Sequence, residues 1–436
     1  MNRNFLRRGS VALTTAALIV GLSQVAGVGG AVASSTNPLP PGTHFFTPIP
    51  SSGALTQIGQ LLRKGDLKDA ALIGREIATP QARWFTQGTP AQVKQSVHTT
   101  ALESSLTRTV PTLVVYNVPG RDCSQYSSGG AGSDAAYQAW ISGFASGLVK
   151  HQRVIVIVEP DGLANLPSDC PSAYPGQDVA ALTAGRIADI KYAAQVITQA
   201  DPQALVYLDA GHSAWHSVGD MTTRLEQAGV ANVQGFSLNV SNYQFTPNLE
   251  EYGNWVSECI AYTTSVAVGD TGSCGDQYWS GGPANNWTGV ALSPNGVWSA
   301  TAPEPAQNTA GINSRYASIL GTTQPTTHYV LDTSRNGTGP WTPAASAGYP
   351  DPQTWCNPPG EGLGARPQAG PAATTYPLLD AALWVKTPGQ SDGQCNRGIT
   401  GSTTDPEWGG IVDPAAGDWF PQQALQLAQN AVPALH

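Results

Sequence analysis

Short runs of apolar and β-branched residues recur along the chain, and most stop at a polar or aromatic residue. They are Ala82 to Trp84, Leu113 to Tyr116, Val154 to Val158, Leu205 to Asp209, Phe236 to Asn239, Tyr329 to Asp332 and Leu383 to Lys386. Runs of this length without polar alternation are what a strand covered on both faces requires. Between most of them lies a stretch with helical spacing. Asp134 is placed to cap Tyr137, Trp140, Ile141, Phe144 and Leu148; Asp178 opens Val179, Leu182, Ile187 and Ile190; Asp220 opens Met221 and Leu225. Strand and helix alternating about seven times predicts an α/β fold on a parallel sheet, and a seven-stranded parallel β/α barrel is preferred to a large doubly wound sheet.

Two acidic signatures stand where such runs end: Tyr116-Asn117-Val118-Pro119-Gly120-Arg121-Asp122-Cys123 and Val158-Glu159-Pro160-Asp161-Gly162-Leu163. A carboxylate just after a buried strand stands at the carboxyl edge of a parallel sheet, where barrels and open α/β sheets place their active sites. One such Asp has an ordinary structural use, paired with Arg121 or capping the next helix. Asp209, Asp332 and Asp392 repeat the pattern, however, and several carboxylates sharing one barrel mouth separate in pKa. Acid catalysis of glycoside cleavage needs that separation.

The N-terminal residues read as an export signal spanning 1–33. Arg3, Arg7 and Arg8 precede an apolar stretch from Val11 to Val28, and Ala31, Val32 and Ala33 supply small residues before Ser34. Gly and Ser interrupt the stretch, which disfavours a membrane anchor. The expectation is a secreted, monomeric protein with no membrane contact after cleavage. In an exported chain the six cysteines are expected to be oxidised, and none has Cys-x-x-Cys spacing. Local order favours Cys259 with Cys274 and leaves Cys123, Cys170, Cys356 and Cys395 for longer bridges. Charged residues are only 12% of the chain and the net charge is −9, a balance that repels nucleic acid. Residues 263–307, 333–376 and 393–420 are long, weakly periodic and rich in Gly, Pro, Ser and Trp, so they are read as loops walling a cleft. No linker to a second module and no repeat is evident, and residues 34–436 are read as one catalytic domain.

Twelve tryptophans sharpen the ligand class. Those with helical neighbours, such as Trp140, are core; Trp84 at a strand end, Trp215 beyond Asp209 and Trp355 beside Cys356 are placed to face a cleft. Flat aromatic faces complement pyranose rings, whose hydroxyls bond to polar and acidic groups. Competing chemistries fare poorly. Gly211-His212-Ser213-Ala214-Trp215 lacks the last glycine of a nucleophile elbow. The glycines at 129–132 miss the dinucleotide fingerprint, and the seven histidines have no metal-ligand spacing. Neither metal nor organic cofactor is expected, and His212 is kept as a sugar contact.

At these residues the chain resembles glycoside hydrolase family 6, the secreted β-1,4-glucanases comprising endoglucanases and cellobiohydrolases. The resemblance runs from about Gly42 to Leu435. It rests on Tyr116 through Asp122-Cys123 and on Glu159-Pro160-Asp161. Leu208 to Trp215, Trp355-Cys356, and Val385-Lys386 through Asp392-Gly393 follow in the family's order. The resemblance implies a distorted seven-stranded barrel and inversion at the anomeric carbon. It makes Asp161 the general acid, Asp122 its proton-affinity modulator and relay, Asp392 the proposed base, and Asp209 a further aspartate near the cleft. Sugar contacts are implied at Trp84, His212, Trp215, Asn242, Trp355, Lys386 and Gln390, with Tyr116 and Arg121 in the same cleft. It also pairs Cys123 with Cys170 and Cys356 with Cys395. Gln390 departs from the family, which usually has Glu there, and the insertion holding Cys259 and Cys274 is atypical. The short path from Asp392 to Cys395 resembles open-cleft enzymes. The expectation is therefore an endo-β-1,4-glucanase acting on a β-1,4-glucan or cello-oligosaccharide, with a cellobiohydrolase, or a glucan-binding protein disabled by Gln390, as alternatives.

Overall fold

The computed structural model describes residues 37–278, 290–370 and 375–435. The expected export signal lies outside the described residues. The strands are β1 (Arg83–Phe85), β2 (Thr112–Val115), β3 (Val154–Val158), β4 (Ala204–Asp209), β5 (Gly235–Leu238), β6 (His328–Asp332), β7 (Gln368–Ala369) and β8 (Leu379–Leu383). The helices are α1 (Ser52–Lys64), α2 (Leu67–Ala78), α3 (Pro90–Thr107), α4 (Asp134–Gly147), α5 (Val179–Ala200), α6 (Val218–Gln227), α7 (Thr246–Ser265), α8 (Ala310–Leu320) and α9 (Pro421–Gln429). The sheet order is β1-β2-β3-β4-β5-β6-β8-β7, parallel throughout except for the two-residue β7. β1 and β8 form no ladder with each other, but Ala82 N donates to Trp384 O at 2.9 Å and the Trp84 indole donates to Val385 O at 2.8 Å. That stitched seam makes the structure a distorted barrel with seven parallel strands, as the sequence predicts.

Alternation along each strand fills both faces. In β3, Val154, Val156 and Val158 pack outward with Tyr137, Trp140 and Phe144 of α4 and Ile190 of α5, so Trp140 is core as expected. Ile155 and Ile157 point the other way and meet Val114, Leu205, Tyr207, Val330 and Leu383 in the barrel interior.

Three details depart from the sequence reading. The last parallel strand is β8, whereas Leu383 to Lys386 mostly forms the loop beyond it. Asp380 hides the strand. It is the extra residue of a bulge, since Tyr329 pairs with Leu379 and Val330 with Ala381. Its buried carboxylate accepts from the Tyr207 hydroxyl at 2.7 Å and Gln234 at 3.1 Å and lies 2.7 Å from His328 Nδ1. The other two departures concern caps. Ser133 caps α4 and Ser217 caps α6, their hydroxyls accepting from Ala136 N and Asp220 N. Asp134 and Asp220 sit instead in the first turns, where negative charge complements the helix dipole.

At Gly235 the β5–β6 pairing is so close that an added Cβ would lie 1.8 Å from His328 O. Gly235→Ala is expected to cost at least about 1–3 kcal/mol of stability, the usual penalty for overpacking, measured as a lower denaturation midpoint. A midpoint equal to wild type would mean that β5 and β6 are not paired in this register.

Candidate active site

Acids at the strand ends fasten the loops of neighbouring strands. Glu159, just beyond β3, is fully buried. Its carboxylate accepts from Asn117 N at 3.0 Å, Val118 N at 3.1 Å and the Tyr137 hydroxyl at 2.9 Å, which fixes the loop leaving β2. Burial pushes its carboxyl up to about 7 against those hydrogen bonds. Asp209, which ends β4, is likewise buried. It accepts from Asp161 N at 2.8 Å, Gly211 N at 3.1 Å and Ser237 Oγ at 3.0 Å. Burial again dominates and raises Asp209 to about 7.

These anchors hold Asp161 in a left-handed backbone conformation, φ 63°. Its side chain is half-buried, and Oδ1 is a buried oxygen with no hydrogen-bond partner among the described residues. Burial drives the Asp161 carboxyl well above the carboxylate range, and the charges of Asp209, Asp122 and Asp392 push the same way. A neutral carboxylic acid is the form this environment favours.

Asp122 lies on the loop leaving β2, with φ 59° at Asp122 and 45° at Cys123. The disulfide Cys123–Cys170 ties that loop to the segment after β3. Asp122 Oδ2 accepts from Ser127 N at 2.6 Å, yet burial lifts the group to about 6. Arg121 turns back, its guanidinium 4.5 Å from the Tyr116 ring centre and bonded to the carbonyls of Thr86, Tyr116 and Ser127.

Asp392 is the opposite case. Arg335 Nη1 reaches its Oδ2 at 2.9 Å and Lys386 Nζ its Oδ1 at 3.0 Å. The Tyr243 hydroxyl and Asn357 N also donate to Oδ2, at 3.2 and 3.0 Å. Burial acts to raise the group, but the two cations and these bonds overcome it and hold Asp392 at about 2. Asp332, which ends β6, supports the arrangement by accepting from Ser241, Ser334, Val385 and Lys386 N–H groups at 2.9–3.1 Å.

A cavity of about 390 Å³ opens between Asp122, Asp161 and Asp392. Of the residues expected from sequence, Asp122, Asp161, Asp392, Trp84, Tyr116, His212, Trp215, Asn242, Trp355 and Lys386 line it; Asp209, Arg121 and Gln390 do not. Asp209 sits beneath Asp161, Arg121 braces the Asp122 loop, and the backbone of Gln390 bridges Trp419. His212 Nδ1 accepts from Ala214 N at 3.2 Å, and burial lowers the imidazole to about 3, so it is neutral with its proton on Nε2. Trp84 meets Tyr116 edge to face, centroids 5.5 Å apart. Sequence reasoning gave no role to Glu159, Arg335, Tyr243 or Asn357. Glu159 carried a signal, an acid directly after a strand; the other three lie in loops with no periodicity. The three disulfides are Cys123–Cys170, Cys259–Cys274 and Cys356–Cys395. Among the described residues no helix is long and apolar enough to cross a membrane.

Fold and site define an α/β-barrel protein whose carboxyl edge carries an acidic, aromatic-lined cleft. A family model described as Glycosyl hydrolases family 6 matches residues 41–431, and the chain belongs to that family. Endoglucanase A of Cellulomonas fimi is 34% identical over 367 residues, 83% of this chain and 57% of that protein. Probable 1,4-β-D-glucan cellobiohydrolase C of Neosartorya fischeri is 29% identical over 340 residues, 74% of this chain and 61% of that protein. The chain thus spans about 57–61% of the length of these curated relatives. The solved structure of the endoglucanase Cel6 from Mycobacterium tuberculosis, in complex with methyl-cellobiosyl-4-deoxy-4-thio-β-D-cellobioside, is 30% identical with a TM-score of 0.61. The match covers 91% of this chain and 99% of that one.

Asp392→Asn leaves two buried cations without their anion and is expected to cost about 3–5 kcal/mol of stability, read in a denaturant melt. Because its carboxyl is depressed when folded, the wild-type contribution is present above the ordinary carboxylate pKa and is lost as pH falls through about 2. A variant as stable as wild type would refute the ion-pair account.

Proposed function

We propose that the protein is a secreted, inverting endo-β-1,4-glucanase that hydrolyses cellulose or a related β-glucan. The observation that carries this reading is Asp161, a carboxyl kept neutral at the rim of the barrel while Asp392, in the same cavity, is kept ionised. A proton donor and a fixed anion are the two parts that glycoside hydrolysis with inversion requires. Asp161 is assigned the proton that goes to the leaving glucosyl oxygen. With both oxygens of Asp392 already accepting from cations, its assigned part is to orient the attacking water and to balance the positive charge developing on the sugar ring. Asp122, raised to about 6, is the better-matched acceptor for the proton that the water releases. Asp209 acts through Asp161 as a positioning residue. Trp84, Trp215 and Trp355 serve as stacking platforms, and the Nε2–H of His212 is a donor to a sugar hydroxyl.

Secretion is supported by the three disulfides and the N-terminal pattern. The carboxyls of Asp122, Asp161 and Asp392 together in the cavity lining favour a hydrolase over a purely binding protein. A cellobiohydrolase is the second reading, and one contact favours it. Tyr126 packs on Trp355 with centroids 5.9 Å apart, and its hydroxyl accepts from Gln353 Nε2 at 3.2 Å and lies 3.4 Å from Asn396 Oδ1, joining the Asp122 loop to the loops around Asp392. Viscosity loss from carboxymethylcellulose outrunning reducing-sugar release supports the endo reading; the reverse supports the exo reading.

Asp161→Asn is expected to lower turnover on unactivated β-glucan by about 10²–10⁴-fold, the usual contribution of a positioned acid. The loss should shrink on aryl glycosides whose leaving group needs no proton. Equal losses on both substrates would remove Asp161 from the acid role.

A further inference from the structure

Asp392 is held from a second direction, by Asn357. The Asn357 Oδ1 accepts from Asp392 N at 2.8 Å, while its own backbone N–H donates to Asp392 Oδ2 at 3.0 Å. This clamp works only with the Asn357 amide turned one way. Asp413 sets the turn, its Oδ2 accepting from Asn357 Nδ2 at 2.8 Å; the same NH₂ reaches Ser391 Oγ at 3.0 Å and Gly393 O at 2.9 Å. Asn357 is fully buried and its φ is 40°, so the amide has no water to turn toward.

Asp413 is 1% exposed, and among the described residues no N–H or hydroxyl reaches its Oδ1. Its carboxyl stands beside that of Asp405, with oxygens of the two within 4.8 Å. Two buried carboxyl groups this close repel strongly when both are ionised, so one of them favours its protonated form. Arg397 grips both oxygens of Asp405, through Nε at 2.9 Å and through Nη2, which leaves the proton to Asp413. Burial pushes the Asp413 carboxyl up to about 7; the Asn357 bond and the Arg397 charge pull it down, and the Asp405 charge pushes it further up. Beyond them, Arg397 lies over the Trp341 ring, and Glu407 is bonded to the Tyr349 hydroxyl. Cys395 Sγ is within 4.8 Å of both acids but is consumed in its disulfide, so the cluster is not a metal-ligand set.

We propose that Asp413, as a neutral carboxylic acid, is a positioning residue for Asp392: it locks the Asn357 amide, and its ionisation unlocks the loop at the alkaline edge of the activity range. The proposal rests on the reading of Asp392 as part of the active site. An ionised Asp413 beside Asp405 puts two buried charges against one guanidinium, and the pair must part. Because the folded-state carboxyl is raised, the stability it contributes is present at acidic pH and declines as pH climbs from the ordinary carboxylate value through about 7.

The test uses the full disulfide-bonded chain, with kcat and KM on carboxymethylcellulose and the melting temperature each followed against pH. Asp413→Asn keeps an oxygen for Asn357 and an NH₂ for Asp405 without a dissociable proton. It should retain activity at acidic pH, carry the alkaline fall of kcat to higher pH, and flatten the melting profile between about pH 5 and pH 8. Asp413→Ala should lower kcat about ten- to a hundredfold with little change in KM. Profiles of Asp413→Asn that superimpose on wild type, or an alanine variant with wild-type kcat, would overturn the proposal. A wild-type chain that hydrolyses no β-glucan would overturn the function assigned above, whereas the melting profiles would still decide where the proton sits.

Discussion

The rim of this barrel gathers Asp122, Glu159, Asp161, Asp209, Asp332 and Asp392, and the cations Arg335 and Lys386 both converge on the last of them. That unequal sharing of positive charge is the constraint from which the chemistry follows. Two like charges about 4 Å apart cost about 4 kcal/mol at an effective dielectric of about 20, so the group cannot ionise together. Asp392 takes the negative charge because it holds both cations. Asp161, with burial and three acids against it and one oxygen left unpartnered, takes a proton. Neutral acid and anion are therefore separated by packing and counter-charge, without any difference in residue type.

The same residue type also builds the rim. Glu159 after β3 holds the loop from β2; Asp209 at the end of β4 holds the backbone of Asp161 after β3; Asp332 at the end of β6 holds the loops from β5 and β8. Each acid fastens its neighbours' backbone N–H groups, which water would otherwise satisfy. Left-handed residues at Asp122, Glu159, Asp161, Asn239 and Ser241 mark where the chain turns sharply to meet these acceptors. Such conformations persist only where surrounding bonds over-determine them, and here those bonds come from the adjacent strand end.

This double use of carboxylates explains what the sequence disclosed and what it withheld. Both-face burial leaves uninterrupted apolar runs, so β2, β3, β4 and β6 stood out; β8 did not, because the bulged Asp380 breaks its run inside the barrel. Acid positions were legible, but catalytic and fastening acids look alike in a string of letters. Asp209 has the strand-end placement of a catalytic group yet lies under Asp161, while Glu159 went without a role. Arg335, Asn357 and Asp413 sit in aperiodic loops, where only three-dimensional proximity reveals what they do. Gln390 stood out as a family departure; its backbone bridges Trp419, two residues before Asp392.

Asp161 is held protonated in the resting protein by its burial first and by the acids around it second. Infrared difference spectra of wild type against Asp161→Asn, recorded across pH, report its carboxylic C=O stretch directly. The protonated band should persist to higher pH than that of an ordinary aspartate, and should titrate at lower pH once Asp209→Asn removes the acid beneath it. A band lost over the ordinary aspartate range, or one indifferent to Asp209, would contradict it.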